Sequence, residues 1–384
     1  MFPKLILLIF ALYFVSCQKS VDFKIQSIPV PYKGYAETPN FYLSPQGNLF
    51  LSWIQYQKDS TTSLLFSRMD HDAWSKPIQV ASGKNWIVNW ADFPSIATFP
   101  SSELSILAQY LIVEDTSDPE HYDIRLALAR DGGDRFRTID SLHHHSPAEH
   151  GFVSQVPYSF DKILSIWLDG GDAESSSPVE KPDDHSHHGS STAMQLRSAM
   201  IDFDGKIADR LLIDDRVCDC CQTDACMTPK GPMLVYRNRS EDEIRDIYYT
   251  RYEEGHWTNP KAIHDDHWKI NGCPVNGPAI AALGNKVAIT WYTEINKIPK
   301  VQMTYSTDGG NTFSDPIEIK TQFTLGRLDI IWLDDHQIAV SFLDKSNSNS
   351  EFASIKLSIH NITAGTNHSI NIDRVSSKRK TGFP

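Results

Sequence analysis

The sequence has no excess of basic charge and, after its first residues, no long apolar run. Its 384 residues include 36 Lys and Arg against 48 Asp and Glu, which gives a formal net charge of −12. Surfaces that bind nucleic acid are normally basic, so this balance argues against a nucleic-acid partner. Residues 5–15 form an apolar run that is too short to cross a bilayer as a helix.

Aromatic and turn-forming residues are abundant instead. The chain holds 9 Trp, 14 Tyr and 18 Phe, together with 20 Gly and 21 Pro. This mixture favours many short strands separated by turns and disfavours a helical bundle. Hydrophobic residues make up 40% and charged residues 22%, as in soluble globular proteins, so the composition excludes general disorder.

The N-terminus has the pattern of an export signal. Lys4 precedes the apolar run 5–15, and Ser16-Cys17 follows it directly. The pattern resembles a bacterial lipoprotein cleavage site, which implies a signal peptide over residues 1–16 and lipidation of Cys17. An ordinary signal peptide with an incidental cysteine is the alternative. Either interpretation predicts export, and the first predicts a membrane-anchored lipoprotein of the cell envelope with a tether over residues 17–37.

The rest of the chain repeats. An aromatic residue followed by Ser or Thr, any residue and Pro recurs at 74–77, 257–260 and 313–316. Apolar strands centre on Trp53, Gln109, Trp167, Tyr236, Trp291 and Phe342, at intervals of 56, 58, 69, 55 and 51 residues. Six repeats of this length, each with about four strands, predict an all-β, six-bladed β-propeller over residues 38–384.

Several short motifs carry a family resemblance. Residues 306–313, Ser-Thr-Asp-Gly-Gly-Asn-Thr-Phe, resemble the Asp-box turn of sialidase-type propellers, and 129–136 is a partial copy. Further stretches resemble a bacterial family of secreted sialidase-like propeller proteins: Asn89–Ser95, Glu149–Ser154, Trp167–Gly170, Asp219–Thr223 and Gly272–Pro278. The resemblance implies a sialidase-like propeller labelled as an exo-α-sialidase.

The ends of the chain leave the closure of the ring open. In the family that the motifs resemble, the segment Thr381–Pro384 would begin a further pair of strands. Two expectations follow from this. The C-terminus is either a truncated seventh blade, or the ring is closed by an N-terminal strand around residues 21–30.

Propeller topology predicts where the unusual residues gather. In a four-stranded antiparallel blade, the loops between strands 2 and 3 and the crossovers between blades lie on one face, here called the crossover face. The insertion 170–192, the segment 237–245 and the cysteine-rich segment 218–221 all fall on these loops and crossovers. We therefore expect one functional site on the crossover face, around the central channel.

Five cysteines remain besides Cys17, so at least one is unpaired or has another role. Cys218, Cys220, Cys221 and Cys273 lie on neighbouring crossovers, and one disulfide between this group and Cys273 is expected in an exported protein. The alternative is a thiolate site for copper or zinc. Histidines of the insertion are tentative additional ligands, or else part of a solvated linker: His185, His187 and His188. The segment His143–His145 is interpreted as a polar crossover.

The sialidase resemblance implies a catalytic constellation. Arginines bind the substrate carboxylate in sialidases, and the candidates here, with Asn276 as a further substrate contact, are Arg237, Arg239, Arg245 and Arg327. Tyr292 would be the nucleophile, Glu294 its partner and Asp92 the acid/base. The Arg-Ile-Pro motif that usually opens sialidases is missing, and segment 237–246 alternates in charge like a salt-bridged loop.

Two functional hypotheses follow from these residues. One is an exported glycoside hydrolase that acts on a sialoside-like or related acidic sugar. The other is a non-catalytic surface propeller, expected to be monomeric, that binds a metal ion, a glycan or a protein partner through its Cys/His-bearing face. The convergence of the arginines around Tyr292 separates the two, because fold alone does not decide function.

Overall fold

The computed structural model describes residues 24–113, 121–130, 132, 135–143, 148–171 and 193–379. The chain divides into two units, Met1–Val30 and Pro31–Pro384. Of the first unit, Lys24–Val30 is described and forms no strand or helix. The described residues of the second unit form 27 strands. The signal peptide, Cys17, His185, His187, His188 and Thr381–Pro384 lie outside the described residues.

Six antiparallel sheets follow one another along the chain and form a six-bladed β-propeller, which confirms the predicted fold. Blade 1 comprises β1 (Ala36–Leu43), β2 (Leu49–Tyr56), β3 (Thr62–Asp70), β4 (Ala73–Trp74) and β5 (Ile78–Gly83), and blade 2 comprises β6 (Trp86–Ile87), β7 (Ser95–Phe99), β8 (Ser102–Ile112), β9 (Asp123–Ala129) and β10 (Arg137–Thr138). Blade 3 comprises β11 (His150–Ser159), β12 (Lys162–Asp169), β13 (Met194–Asp202) and β14 (Ile207–Val217), and blade 4 comprises β15 (Asp224–Thr228), β16 (Gly231–Arg237), β17 (Ile247–Glu253), β18 (His256–Trp257) and β19 (Lys261–Ala262). Blade 5 comprises β20 (Ala279–Leu283), β21 (Lys286–Ile295), β22 (Ile298–Ser306) and β23 (Ile317–Ile319), and blade 6 comprises β24 (Phe323–Trp332), β25 (Gln337–Lys345), β26 (Phe352–Asn361) and β27 (Thr366–Ser376).

The repeat markers fall at equivalent places in the blades. All six strand centres are buried and lie on the second strand of their blades: Trp53, Gln109, Trp167, Tyr236, Trp291 and Phe342. Blade 6 takes its four strands from the continuous segment 323–376. The closing strand expected around residues 21–30 is not formed over Lys24–Val30.

The core consists of apolar layers between successive blades. Strand β16 illustrates this, since Leu234 and Tyr236 face the cluster shared with blade 3, whereas Met233 and Val235 face the cluster shared with blade 5. Both faces of the strand are buried because side chains alternate along it with a period of two. The first strands of successive blades contact one another from β1 to β24, so the crossover loops are gathered around the central axis.

The turn at residues 306–313 connects β22 and β23, on the face opposite the crossovers. Asp308 Oδ1 accepts the backbone N–H groups of Asn311 and Thr312, both at 3.0 Å. Phe313 packs against the core between blades 4 and 5, where its ring lies 5.4 Å from that of Tyr249. No helix in the described part of the chain is long and apolar enough to cross a membrane.

Candidate functional site

A cluster of four cysteines lies on the crossover face, on the two crossovers that enter and leave blade 4. Cys218, Cys220 and Cys221 follow β14, and Cys273 precedes β20. Cys220 and Cys273 form a disulfide, as the disulfide interpretation of the sequence expected. The Cys218 sulfur lies 3.5 Å from the Cys221 sulfur and 3.9 Å from the Cys220 sulfur. These four residues are called the sulfur cluster below.

Two of the cluster's thiols are buried and remain unbridged, Cys218 and Cys221. They are separated by two residues, a C-x-x-C spacing that is typical of redox and metal-binding cysteine pairs. Cys226 is also unbridged but lies on β15, where burial raises the pKa of its thiol well above the usual range. Among the described residues, the unbridged thiols are therefore the close pair Cys218 and Cys221 and the separate thiol of Cys226.

Arginine side chains surround the sulfur cluster. Arg245 Nη1 donates to the Cys218 sulfur at 3.2 Å and to Asp219 Oδ1 at 3.3 Å. Its Nη2 donates to Glu243 Oε2 at 2.8 Å. Arg239 donates to the other oxygen of the same carboxylate, Glu243 Oε1, from Nε at 3.0 Å and from Nη2 at 2.8 Å. The alternating charges at 237–246 thus form the salt-bridged loop that the sequence offered as one interpretation, with Cys218 included in the network.

The pKa values of the two unbridged thiols of the cluster shift in opposite directions. Burial opposes ionisation of Cys218, but its contact with Cys221 and the charge of Arg245 outweigh burial and lower its pKa to about 7. Burial and the neighbouring Cys218 sulfur raise the pKa of Cys221 well above its ordinary value. The pair consequently loses its first proton at a lower pH than an ordinary thiol, with Cys218 favoured as the thiolate.

Arg237 is a buried structural cation. Its Nε and Nη2 donate to the carbonyl of Asn276 at 3.1 Å and 2.7 Å, and Nη2 also donates to the carbonyl of Tyr292 at 2.8 Å. Its Nη1 donates to the carbonyl of Arg245 at 2.6 Å, and its guanidinium lies 4.8 Å from the Trp268 ring centroid. The side chain ties the crossover before blade 5 to the loop of blade 4.

Asn276 and Arg327 connect blades 5 and 6. Asn276 Oδ1 accepts the backbone N–H of Arg327 at 2.7 Å, and its Nδ2 donates to the Leu325 carbonyl at 3.1 Å. Gly326 adopts a φ of +69°, and a Cβ there would lie 2.3 Å from Asn276 Oδ1, so only glycine fits. The Arg327 guanidinium lies 4.8 Å from the Trp90 ring centroid, and its Nη2 donates to the Arg379 carbonyl at 2.7 Å.

Tyr292 and Glu294 are in contact on β21, as a nucleophile and its partner would be. Tyr292 Oη donates to Glu294 Oε1 at 2.8 Å. Burial and that carboxylate raise the pKa of the Tyr292 phenol above its usual range. Tyr292 packs against Trp268, with ring centroids 5.5 Å apart. The arginines proposed for a substrate carboxylate, Arg237 and Arg245, are bonded to the protein groups described above.

Asp92 lies in a second polar group between blades 2 and 3. Its Oδ1 accepts the N–H of Phe152 at 2.8 Å, and its Oδ2 lies 3.4 Å from Tyr122 Oη. Tyr122 also donates to Glu149. Burial raises the pKa of Asp92 to about 8, and the nearby charge of Glu149 adds to the shift, so Asp92 is protonated at neutral pH. A Cβ at Gly151 would lie 1.9 Å from Asp92 Oδ2, so the close approach requires glycine.

Beside this group lies a cluster of two histidines and an aspartate, called the imidazole cluster: Asp123, His143 and His150. Their ligand atoms lie within 4.8 Å of one another, and all three residues are buried. Burial opposes protonation of His150, but its hydrogen bonds to Asp123 and Asp169 outweigh it and raise its pKa to about 9. In the sequence, His143 belongs to a segment interpreted as a polar crossover, and Glu149 and His150 stand in a family-like stretch with no site role predicted for them. No motif marks Tyr122 or Asp123.

The predicted site residues thus fall into separate groups on the crossover face. The four cysteines converge with Arg239 and Arg245, whereas Tyr292, Glu294, Asn276 and Arg327 lie around blades 5 and 6. Asp92 belongs to the group between blades 2 and 3. Gln222 joins these regions, since its Nε2 donates to the Ala91 carbonyl at 2.6 Å and its Oε1 accepts the Gly277 N–H at 3.3 Å.

Comparison with known proteins supports the fold. No protein-family model matches the chain, and no curated protein matches it in sequence. An ulvan lyase is similar over 84% of this chain and 78% of its own, at 11% identity and a TM-score of 0.50. A Hadza microbial sialidase is similar over 86% of this chain and 66% of its own, at 13% identity and a TM-score of 0.47. An α-L-arabinofuranosidase from Fusarium graminearum is similar over 86% of this chain and 93% of its own, at 11% identity and a TM-score of 0.49. At such low identity the similarity concerns the fold alone.

Proposed function

We propose that this protein is an exported propeller that binds copper(I) through the thiolates of Cys218 and Cys221. The observation that carries the proposal is the approach of the two unbridged sulfurs, Cys218 and Cys221, to 3.5 Å on the crossover face, beside the guanidinium of Arg245. Thiolates are soft ligands and select copper(I) or zinc over harder cations. Cys220 is bonded to Cys273, so the two thiolates that remain for the metal are those of Cys218 and Cys221.

The number of thiols favours copper(I) over zinc. A structural zinc site needs four protein ligands in a tetrahedron, and the intact disulfide leaves two thiolates in the cluster. Copper(I) forms stable complexes with two thiolates. Such a complex carries one net negative charge, which Arg245 offsets through its hydrogen bond to Cys218 at 3.2 Å. A buried anionic complex is stabilised by a fixed guanidinium in this position.

The location follows from the sequence of the N-terminus. Residues 1–16 have the pattern of a signal peptide, and Cys17 has the position of a lipidated cysteine. We propose that the protein is a lipoprotein of the bacterial cell envelope, anchored to the membrane by its N-terminus. Disulfides form in such exported compartments, in agreement with the bond between Cys220 and Cys273.

Competition for copper(I) against a chromophoric chelator tests the metal proposal. We expect the wild-type protein to take up one copper(I), and the variant Cys218→Ser/Cys221→Ser to bind it more than about 100-fold more weakly. The matched control is Cys226→Ser, which removes a buried thiol outside the cluster and is expected to leave the affinity unchanged. Equal affinity in the wild type and the double variant would refute the proposal.

A second candidate function is glycoside hydrolysis of a sialoside-like acidic sugar. The observation in its favour is the 2.8 Å hydrogen bond from Tyr292 to Glu294, the pairing of a tyrosine nucleophile with its glutamate. Asp92 would be the acid/base, and Arg237, Arg245 and Arg327 would bind the carboxylate only after giving up existing partners. A fluorogenic sialoside tests this, since activity in the wild type that disappears in Tyr292→Phe would establish it, and no turnover by the wild type would exclude it for that substrate.

A further inference from the structure

The imidazole cluster on the crossover face is independent of the sulfur cluster. Asp123 is the first residue of β9, His150 is the first residue of β11, and His143 belongs to the crossover between those blades. We propose that Asp123, His143 and His150 form a second metal site, which takes a borderline divalent cation such as zinc. Imidazole nitrogen and carboxylate oxygen are the ligands that zinc accepts besides thiolate.

The spacing of the ligand atoms is close to that of ligands around one metal ion. His143 Nε2 lies 3.6 Å from Asp123 Oδ1, and His150 Nδ1 lies 3.5 Å from the same oxygen. Two ligands that each bind a tetrahedral zinc ion at about 2.1 Å stand about 3.4 Å apart. The observed separations are close to that value.

A second carboxylate supports His150 from behind. His150 Nε2, the nitrogen that faces away from the cluster, lies 3.5 Å from Asp169 Oδ1. Asp169 is fixed by the indole N–H of Trp167 and the backbone N–H of Gly171, both at 2.9 Å. A metal-binding histidine almost always directs its other ring nitrogen to such a partner, which sets its tautomer and orientation. Asp169 is therefore placed to orient His150 on the side away from the cluster.

Binding requires one movement. The rings of His143 and His150 are stacked, with centroids 3.8 Å apart and 11° between their planes. The lone pair of an imidazole nitrogen lies in the ring plane, so two parallel rings cannot both point at one ion. One ring must turn to bind the metal.

Cobalt(II) binding to the Cys218→Ser/Cys221→Ser protein, kept oxidised, tests the proposal without interference from the thiols. We expect one equivalent of cobalt to give the visible bands of a nitrogen- and oxygen-ligated ion, with no sulfur-to-cobalt charge transfer. In the same background, His143→Gln is expected to weaken binding by at least about 100-fold. His336→Gln, on the exposed turn between β24 and β25, is the matched control and is expected to change nothing.

Asp169→Asn keeps the three ligands and removes only the support of His150. We expect it to weaken cobalt binding by about 10–100-fold while circular dichroism stays that of the parent, which separates a loss of the site from a loss of the fold. Cobalt binding that survives His143→Gln but is lost when His185, His187 and His188 are replaced by Gln would overturn the proposal. So would the absence of cobalt binding in the folded thiol-free protein. Neither result bears on copper(I) binding by the cysteines.

Discussion

The sulfur cluster and the imidazole cluster occupy equivalent crossovers of different blades but have opposite electrostatic surroundings. Arg245 contacts Cys218 and favours an anion, whereas Asp123 and Asp169 flank His150 and favour a cation. The pKa of Cys218 accordingly falls to about 7, and that of His150 rises to about 9. One face of the propeller thus stabilises buried charges of both signs, because each group is given its own counter-charge.

The largest expected effect concerns Arg237, the buried arginine that donates to backbone carbonyls near the sulfur cluster. Arg237→Met leaves buried carbonyls of Asn276, Tyr292 and Arg245 without their donor. We expect the free energy of unfolding to fall by about 3–5 kcal/mol. Urea denaturation measures it, with Arg68→Met as the control, since Arg68 is a partly exposed surface residue paired with Asp70. A loss no larger than that of the control would mean that Arg237 is free to bind a ligand.

The disulfide provides the next effect. Cys273→Ser opens a loop with a sequence separation of 53 residues, so the unfolded chain gains conformational entropy. We expect a loss of about 2–4 kcal/mol in oxidising buffer. Thermal unfolding with and without reductant measures it, because a reductant should bring the wild type down to the stability of the variant. If the reductant leaves the wild type unchanged, the bond contributes nothing.

Asp92 gives a pH-dependent effect in the other region. Its folded pKa of about 8 lies above the usual value of 3.8, so the folded protein binds more protons than the unfolded chain between these values. Stability should therefore fall as pH rises from about 4 to 8, at up to about 1.4 kcal/mol per pH unit. Asp92→Asn, which resembles the protonated acid, should flatten this slope. Urea midpoints of both proteins across that range measure it, and parallel slopes would contradict the assignment.

The smallest effect is the tuning of Cys218 by Arg245. Arg245→Gln keeps a donor but removes the charge, so the pKa of Cys218 should rise from about 7 toward its ordinary value of 9.0. We expect a rise of about one pKa unit, measured from thiolate absorbance in the metal-free protein. Since the folded pKa is depressed, the thiolate stabilises the wild type fully above pH 9, and this contribution is lost as pH falls through 7. An unchanged titration midpoint would show that the guanidinium has no role.

The fold was predictable because its signals are local and repeated. Trp53, Trp167 and Trp291 recur at regular intervals on second strands, and strand periodicity with turn residues fixes the blade. The cysteine neighbourhood was predictable as well, since adjacent crossovers bring Cys220 and Cys273 together. These features need only the order of strands in a propeller.

The group between blades 2 and 3 was not predictable in the same way. Asp92, Tyr122 and Glu149 are about 30 residues apart from one to the next and share no motif spacing. Their contact depends on where each crossover ends in three dimensions. In the fold, Tyr122-Asp123 lies opposite Glu149-His150, and the His150 N–H donates to the Tyr122 carbonyl at 3.0 Å. This contact between the loop of blade 2 and the start of blade 3 is what the sequence alone does not show.

The arginines also required the structure. Their spacing in the segment 237–245 suggested a carboxylate-binding set, but the partners that each guanidinium meets in the fold determine what it does. Arg237 and Arg245 are both 2% exposed, yet Arg237 donates to backbone carbonyls, whereas Arg245 donates to a thiol and two carboxylates. A sequence pattern does not distinguish a guanidinium that holds the backbone from one that binds a ligand.

X-ray absorption at the copper edge tests the central claim most directly. The protein would be loaded with one equivalent of copper(I) while the Cys220–Cys273 disulfide is intact. The account predicts a first shell of two sulfur atoms from Cys218 and Cys221, and the loss of that shell in the Cys218→Ser/Cys221→Ser variant. A shell of nitrogen or oxygen neighbours, or a spectrum that the double variant leaves unchanged, would contradict it.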